Sequence, residues 1–150
     1  MTGTASKNHL RLWLRMLRTT RNIENILREQ LRSGFDTTLP RFDVMAALDR
    51  SDKGLRMSHL SRELMVSNGN VTGIVDRLVK DGLVERIAIE GDRRATLVRL
   101  TGQGEIDFGK MASRHEIWID QILGVFSSDE TDHLLEKLDK INQEQTEDLS

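Results

Sequence analysis

Hydrophobic residues recur every three or four positions over the first third of the chain, which predicts two amphipathic helices. The first runs from His9 to about Leu31 and is expected to end at Ser33-Gly34. The second opens at Thr38-Leu39-Pro40, where a proline in the first turn has no hydrogen bond to lose, and terminates over 51–54.

Two further helices are expected next. Ser58 is predicted to cap a helix that ends at Leu64, and Ser67 to cap a longer helix that ends at Lys80. Only the link Met65-Val66 separates them, and Gly82 follows the second helix as its stop signal. Two helices joined by so tight a link form a helix-turn-helix.

Partial alternation of apolar and polar residues over 83–89 and 95–100 predicts a β-hairpin. The charged segment 90–94 joins the two strands, so the loop is expected to be longer than two residues. A hairpin directly after a helix-turn-helix makes the arrangement a winged helix-turn-helix, in which the second helix enters the major groove of DNA.

The helical period returns after Thr101 and persists almost to the C-terminus. Ser127 and Glu130 form a capping box that separates a long helix from a final one. The predicted fold is therefore mainly α with a small β-hairpin wing. Within the single chain of 150 residues, 40–100 form the winged helix-turn-helix lobe, and 7–33 and 101–150 form terminal helices.

Charge is distributed unevenly, which changes the meaning of the net charge of −2. Residues 1–54 carry ten Lys/Arg and six Asp/Glu, residues 55–100 eight and six, and residues 101–150 four and twelve. Binding to nucleic acid depends on the basic face that meets phosphate and not on overall charge. The acidic C-terminal third is therefore the part least suited to DNA.

Composition argues against several classes of protein. The chain has no cysteine, which excludes disulfides, thiolate metal sites and thiol-based sensing. No apolar run has the length of a membrane span, and we expect a cytoplasmic protein. The four histidines lack metal-ligand spacing, and no catalytic constellation or phosphate-binding glycine loop stands out. We expect neither an enzyme nor a cofactor or metal.

The second helix of the predicted motif has two chemically different faces. An apolar stripe of Val71, Ile74, Val75 and Leu78 is expected to pack inward. Asparagine, threonine and arginine on the other face are residue types that contact base edges, and the glycines allow the backbone to approach DNA. A solvated polar face is the alternative for any one of these residues: Asn68, Gly69, Thr72, Gly73, Asp76 and Arg77.

The hairpin tip offers a second contact with DNA. Arg93 and Arg94 are suited to flanking phosphates or to a narrow minor groove, where the negative potential favours a guanidinium. Asp92 is expected to orient an arginine through a charge-assisted pair. The alternatives are a solvated charged turn and a winged module that binds only protein, although the latter has no need for two arginines at this position.

Three segments together resemble the MarR family of bacterial regulators: 66–86 (VSNGNVTGIVDRLVKDGLVER), 91–95 (GDRRA) and 98–104 (VRLTGQG). The resemblance implies a homodimer, usually a repressor, that binds a pseudo-palindromic operator in double-stranded DNA. Asp92 and Arg94 match the Asp-x-Arg pair of the family's wing. The residues that match the groove-entering helix are Ser67, Asn68, Gly69, Asn70, Thr72 and Arg77. Larger or differently polar residues are frequent at 69–70, so the base preference stays open.

The terminal helices have apolar stripes that a small winged lobe cannot easily cover. A second copy of the chain would bury them and place two recognition helices about one DNA turn, roughly 34 Å, apart. Because the resemblance also implies a homodimer, we predict that 7–33 and 101–150 are dimerisation helices. The alternative is that the stripes close the core of a monomer.

The resemblance also implies a small-molecule effector, often an aromatic or phenolic compound or an acyl-CoA thioester. Arg11, Arg15 and Arg18 share one side of the first helix and are either an anion-binding ridge or a solvated charged face. The remaining effector candidates, each with ordinary core or interface packing as its alternative, are Trp13, Phe42, Met45 and His115. Segments 10–17 and 37–43 are similar to members that sense hydroxycinnamoyl-CoA thioesters.

Overall fold

The computed structural model describes residues 2–64 and 68–148, with backbone alone for 2, 68, 69, 93–95 and 145–148. This part of the chain holds six helices and three strands. The chain divides into two compact units, Met1–His115 and Glu116–Ser150. The predicted link Met65-Val66 and the predicted cap Ser67 lie outside the described residues.

Helix α1 (Thr2–Phe35) is longer at both ends than the sequence pattern predicts. Its predicted end at Ser33-Gly34 is wrong: the Ser33 hydroxyl donates to the Glu29 carbonyl at 2.9 Å, inside the helix. The helix continues to Phe35, and Asp36 directly after it adopts a positive φ of 50°. Left-handed backbone of this kind terminates helices, and asparagine and aspartate tolerate it better than most residues.

Helix α2 (Leu39–Asp49) begins as predicted, with Pro40 in its first turn. Thr38 is the N-cap, and its hydroxyl oxygen accepts a hydrogen bond from the Arg41 backbone N–H at 3.3 Å. Strand β1 (Leu55–Arg56) follows and was not predicted, because two residues are too short to show alternation. Helix α3 (Met57–Leu64) starts before Ser58, which therefore lies in its first turn and is not its cap.

Helix α4 (Asn68–Lys80) packs against α2 and α3. It ends as predicted, with Gly82 at φ 78° and the Leu83 N–H donating to the Leu78 carbonyl at 3.0 Å. This 6→1 hydrogen bond closes the last turn, and glycine adopts the required positive φ without steric cost.

Strands β2 (Val84–Ile89) and β3 (Asp92–Leu100) form the wing, and β1 completes an antiparallel sheet of order β1-β3-β2. The predicted long loop is wrong: only Glu90 and Gly91 connect the strands, with Gly91 at φ 86°. Register changes from Ala88–Thr96 to Ile89–Asp92, so residues 93–95 form a bulge in β3. The charge of segment 90–94 suggested a loop, but positive-φ glycine permits a tighter turn.

Helix α5 (Gly102–Leu123) begins at a tightly packed junction with the end of α4. The Thr101 hydroxyl donates to the Gly82 carbonyl at 2.7 Å and accepts from the Gly104 N–H at 3.0 Å. A Cβ added to Gly104 would lie 1.9 Å from the Leu83 carbonyl oxygen. The Leu-Thr-x-x-Gly pattern of 100–104 thus describes a junction in which threonine caps α5 and glycine is required by space.

Helix α6 (Ser128–Asp148) belongs to the second unit. The predicted capping box is confirmed: the Ser127 N–H donates to a Glu130 carboxylate oxygen at 3.1 Å, and the Glu130 N–H donates to the Ser127 hydroxyl at 3.2 Å. The hydrogen bond that the Ser127 backbone N–H donates to the carboxylate, aided by the Ser127 side chain, lowers the pKa of Glu130 because it favours the ionised form.

Candidate nucleic-acid interface

The two faces of α4 are those that the sequence predicts. Val71, Val75 and Leu78 are fully buried, and Ile74 is partly buried. Asn70, Thr72, Asp76 and Arg77 are exposed on the other side. Packing within the described part of the chain covers the apolar stripe, whereas the polar side of α4 stays exposed over 70–77. The backbone of Asn68 and Gly69 forms the first turn of α4, while their side chains and Ser67 lie outside the described part.

Gly73 on α4 has no packing role within the described chain. A Cβ added there would meet nothing within 4 Å. This contrasts with Gly104, where the protein itself excludes a side chain. Glycine in the middle of an exposed helix costs about 1 kcal/mol relative to alanine. Such a cost, without a structural reason in the described part of the chain, is expected on a surface that another molecule approaches closely.

Two ion pairs hold α4 to its neighbours, and sequence reasoning missed both. Arg86 of β2 donates to the carboxylate of Asp76, which joins the exposed face of α4 to the wing. Arg41 in the first turn of α2 donates to Asp81, directly after α4, with an Nη2–Oδ2 distance of 2.7 Å. The Arg86 pair also neutralises a carboxylate that would otherwise repel phosphate.

The wing carries a further pair across its two strands. Glu85 and Arg99 lie opposite each other in the β2–β3 register, and the Arg99 Nε donates to Glu85 at 2.6 Å. Both side chains are nearly half exposed, so we assign this pair less than about 1 kcal/mol. Opposite charges at directly facing positions also help to fix strand register.

The structure places the backbone of Arg93 and Arg94 in the bulge at the tip of the wing, next to the Glu90-Gly91 turn. Their side chains lie outside the described part, and Asp92 beside them is exposed. The predicted pairing of Asp92 with an arginine therefore stays a prediction. A bulge increases local twist and turns its residues away from the regular ladder, which suits a protruding tip.

The candidate effector-binding residues differ in how deeply they are buried. Arg11, Arg15 and Arg18 are exposed on α1, and Trp13 is 55% exposed. Phe42 and Met45 are buried at 5% and 1% exposure, as expected of ordinary core residues. The structure brings Phe42 together with His115, whose rings stack with centroids 4.6 Å apart. Burial lowers the pKa of His115 because the imidazolium form is poorly solvated there.

Two concavities of about 290 Å³ each are lined in part by residues of α2. His115 lines one of them together with Glu24, Arg28 and Asp43. Desolvation raises the pKa of Asp43, and the nearby carboxylate of Glu24 raises it further. Met45 and Arg41 line the other concavity.

Comparison with known proteins supports the same interpretation of this surface. The family model described as "MarR family" matches residues 35–95, which include α2, α3, α4 and most of the wing. The transcriptional activatory protein BadR of Rhodopseudomonas palustris is 35% identical over 107 residues, covering 69% of this chain and 61% of BadR. The chain thus spans less than two thirds of BadR.

A solved structure matches the chain over almost its whole length. It is a MarR family transcriptional regulator from Silicibacter pomeroyi, 32% identical, with a TM-score of 0.77 and coverage of 94% of this chain and 97% of that one. The chain belongs to the MarR family. The fold prediction, mainly helical with a small antiparallel wing, is confirmed.

A further MarR-family structure bears on the partner. A mutant MarR from E. coli, solved in complex with operator DNA, is 26% identical with a TM-score of 0.77 and covers 89% of this chain and 95% of that one. This chain shares the fold and the family of that DNA-bound regulator. The hydroxycinnamoyl-CoA response stays a prediction.

Within residues 2–64 and 68–148, no helix is both long enough and apolar enough to cross a membrane.

Proposed function

We propose that this MarR-family protein is a homodimeric, ligand-responsive repressor that recognises a pseudo-palindromic operator through α4 and the wing. The observation that carries the proposal is the division of α4 into a buried apolar stripe and an open polar face. Val71, Val75 and Leu78 have no exposed surface, whereas Asn70 and Arg77 lie outward. A helix held in this way presents its polar side chains in a fixed orientation to the major groove.

Each predicted contact has a role set by its chemistry. Asn68, Asn70 and Thr72 are assigned to base edges, and Arg77 to guanine or phosphate. Gly69 and Gly73 are assigned to close backbone approach, and Ser67, the residue before Asn68, to the segment that enters the groove. Arg94, with Arg93 beside it, is assigned to the minor groove or its phosphates. Asp92 is assigned to orienting one of these two arginines.

The apolar surface left uncovered by the single chain supports a dimer. Four side chains on α1 are more than half exposed, and four on α6 are between 40% and 55% exposed: Leu10, Leu12, Trp13 and Leu14, and Leu134, Leu135, Leu138 and Ile141. Monomeric proteins rarely expose so many neighbouring large apolar side chains. A second copy of the same chain covers both sets and matches the two-fold symmetry of a pseudo-palindrome.

The effector is assigned to a small aromatic acid or its CoA thioester, which would release the repressor from its operator in the cytoplasm. Arg11, Arg15 and Arg18 provide an exposed row of cations on α1 for an anionic group. Phe42 and His115 provide stacked rings beside one of the concavities. A ligand changes DNA binding only if it binds the free and operator-bound states with different affinity.

Selection of duplexes from a random library tests this function whatever the operator sequence is. We expect a pseudo-palindrome whose half-site centres are about one helical turn, 10–10.5 base pairs, apart. Sedimentation should give a dimer at micromolar concentration. A reporter controlled by the selected site should be less active when the protein is present. Recovery of no common sequence would contradict the proposal, as would a monomer that binds the palindrome with full affinity.

A further inference from the structure

Four cations follow one side of the first half of α1, and all four are exposed: Lys7, Arg11, Arg15 and Arg18. Successive members are four, four and three residues apart, which places them in one stripe of the helix surface. At a rise of about 1.5 Å per residue, the stripe extends for about 16 Å along the helix. We call these four residues the basic row.

The charge of the basic row is not neutralised by its own helix. Residues 2–23 carry five Lys/Arg and no Asp/Glu, whereas the winged segment 55–100 carries eight and six. Among the ion pairs that join residues of 2–64 and 68–148, none includes a member of the row. The N-terminal half of α1 is therefore more basic, residue for residue, than the segment assigned to recognition of the operator.

The basic row points away from the side of α1 that packs against the rest of the chain. Leu27 and Leu31, at 6% and 0% exposure, mark that inward side. Arg18 precedes Leu27 by nine residues, which is two and a half turns at about 3.6 residues per turn, so the two face opposite directions. Trp13 precedes Leu31 by eighteen residues, or five turns, and shares the inward side. A second copy that covers Trp13 therefore leaves the row exposed.

We propose that the basic row binds the sugar-phosphate backbone of double-stranded DNA outside the operator segment contacted by α4 and the wing. The inference goes beyond the proposed function, which gives these arginines only the anionic group of an effector, and it rests on the DNA binding proposed there. The planar fork of a guanidinium matches phosphate oxygens. One strand of B-DNA presents a phosphate every 3.4 Å or about five along the row, whereas a single carboxylate occupies one arginine.

The phosphates have two possible sources with the same chemistry, the flanks of the operator duplex and a second duplex. An anionic membrane also presents phosphates. However, a helix that lies in a membrane interface inserts its apolar side into lipid. On α1 that side includes Trp13, which the second copy covers in the proposed dimer. Exposed cations without an available apolar side favour DNA over a membrane.

Two double variants with the same change in net charge test the basic row. Arg11→Gln with Arg15→Gln removes two members of the row. Arg28→Gln with Arg32→Gln is the matched control, because these arginines lie on the same helix but are already paired with carboxylates at 2.9 Å and 2.6 Å. Glutamine is a good helix former, and circular dichroism checks that both variants keep the helix content of the wild type.

The first measurement compares two duplexes by fluorescence anisotropy at 50–200 mM salt. One duplex ends at the edges of the selected pseudo-palindrome, and the other has two more helical turns, about 20 base pairs, on each side. If the row binds the flanks, its variant should show a salt slope lower by about two on the extended duplex alone. That difference corresponds to roughly tenfold in affinity over this range of salt. The control should behave like the wild type.

The second measurement detects a second duplex. The wild type is saturated with the short operator duplex, and a labelled duplex of unrelated sequence is then added. If the row binds a second duplex, a ternary complex should form with the wild type and the control but not with the row variant. An effect confined to the row variant in either measurement supports the proposal and identifies the source of the phosphates.

Three results would overturn the proposal: a row variant that matches the wild type in both measurements, an equal loss in the control, or a row effect on binding to phosphatidylglycerol vesicles but not to DNA. Normal binding of the short duplex without any row effect contradicts this inference alone. If the wild type binds no duplex, the proposed function fails and this inference fails with it, so the two failures are distinguishable.

Discussion

Substitution of Gly104 by alanine should destabilise the protein strongly, although glycine lies inside the first turns of a helix. The added Cβ would lie 1.9 Å from the Leu83 carbonyl oxygen, and real contacts of this kind are essentially never below 3.0 Å, so the atoms must separate by at least 1.1 Å. The same oxygen accepts the Thr101 N–H at 3.0 Å. Relief of the clash therefore strains the junction between α4 and α5.

The expected cost is about 2–3 kcal/mol, the upper part of the range for inserting a methyl group into a packed site. Gly109→Ala in the same helix is the matched control, because nothing lies within 4 Å of its Cβ position. Alanine is a better helix former than glycine, so the control should gain about 0.5–1 kcal/mol.

Urea unfolding measures the difference in the free energy of unfolding between the two variants. Both are measured at one protein concentration, so that any contribution from dimerisation is the same. For a chain of this size, 2–3 kcal/mol corresponds to a melting temperature lower by roughly 4–12 °C. Equal stability of Gly104→Ala and Gly109→Ala would refute the close-contact argument. A stable Gly104→Ala variant would also mean that the Leu-Thr-x-x-Gly pattern needs another explanation.

Three other changes probe separate features of the molecule. Arg86→Gln should weaken duplex binding severalfold, because it leaves the Asp76 carboxylate uncompensated near phosphate, and adding Asp76→Asn should restore binding. Fluorescence anisotropy measures the affinity for duplex, and a double variant that binds no better than Arg86→Gln would contradict this role of the pair. Leu135→Lys, at a side chain 55% exposed in the single chain, should shift sedimentation toward monomer with little loss of helicity, and an unchanged dimer would exclude this part of α6 from the interface. The lowered pKa of Glu130 means that its stabilising effect is complete above the ordinary carboxyl pKa and lost as pH falls through the lowered value. Urea unfolding should therefore show an advantage of wild type over Glu130→Gln at neutral pH that disappears in acid, and a constant difference would argue against the ionised cap.

The elements predicted best from the sequence are those in which local patterns and tertiary packing agree. The stripe of Val71, Val75 and Leu78 identified the buried face of α4 because helical periodicity reflects one-sided burial directly. The caps at Thr38 and Ser127 were also predictable, since each involves hydrogen bonds within three residues. The prediction of DNA binding followed from the order of these elements and from the resemblance of the motif to the MarR family.

The features missed depend on backbone geometry or on residues distant in sequence. The two-residue turn at Glu90-Gly91 and the bulge at 93–95 depend on strand register, which partial alternation does not fix. The pairs Asp76–Arg86 and Arg41–Asp81 join residues 10 and 40 positions apart. In the sequence, Arg41 is one cation among many. Only the fold shows that it lies between a concavity and the end of the recognition helix.

The central claim is that the polar face of α4 and the tip of the wing contact DNA. Its most direct test is the salt dependence of binding to a selected duplex by the wild type, by Arg77→Ala with Arg94→Ala, and by the control Arg50→Ala. The account predicts that the double variant binds more weakly and that its salt slope falls by about one for each phosphate that it no longer neutralises, while the control retains the wild-type slope. Wild-type affinity and slope in the double variant would contradict the account.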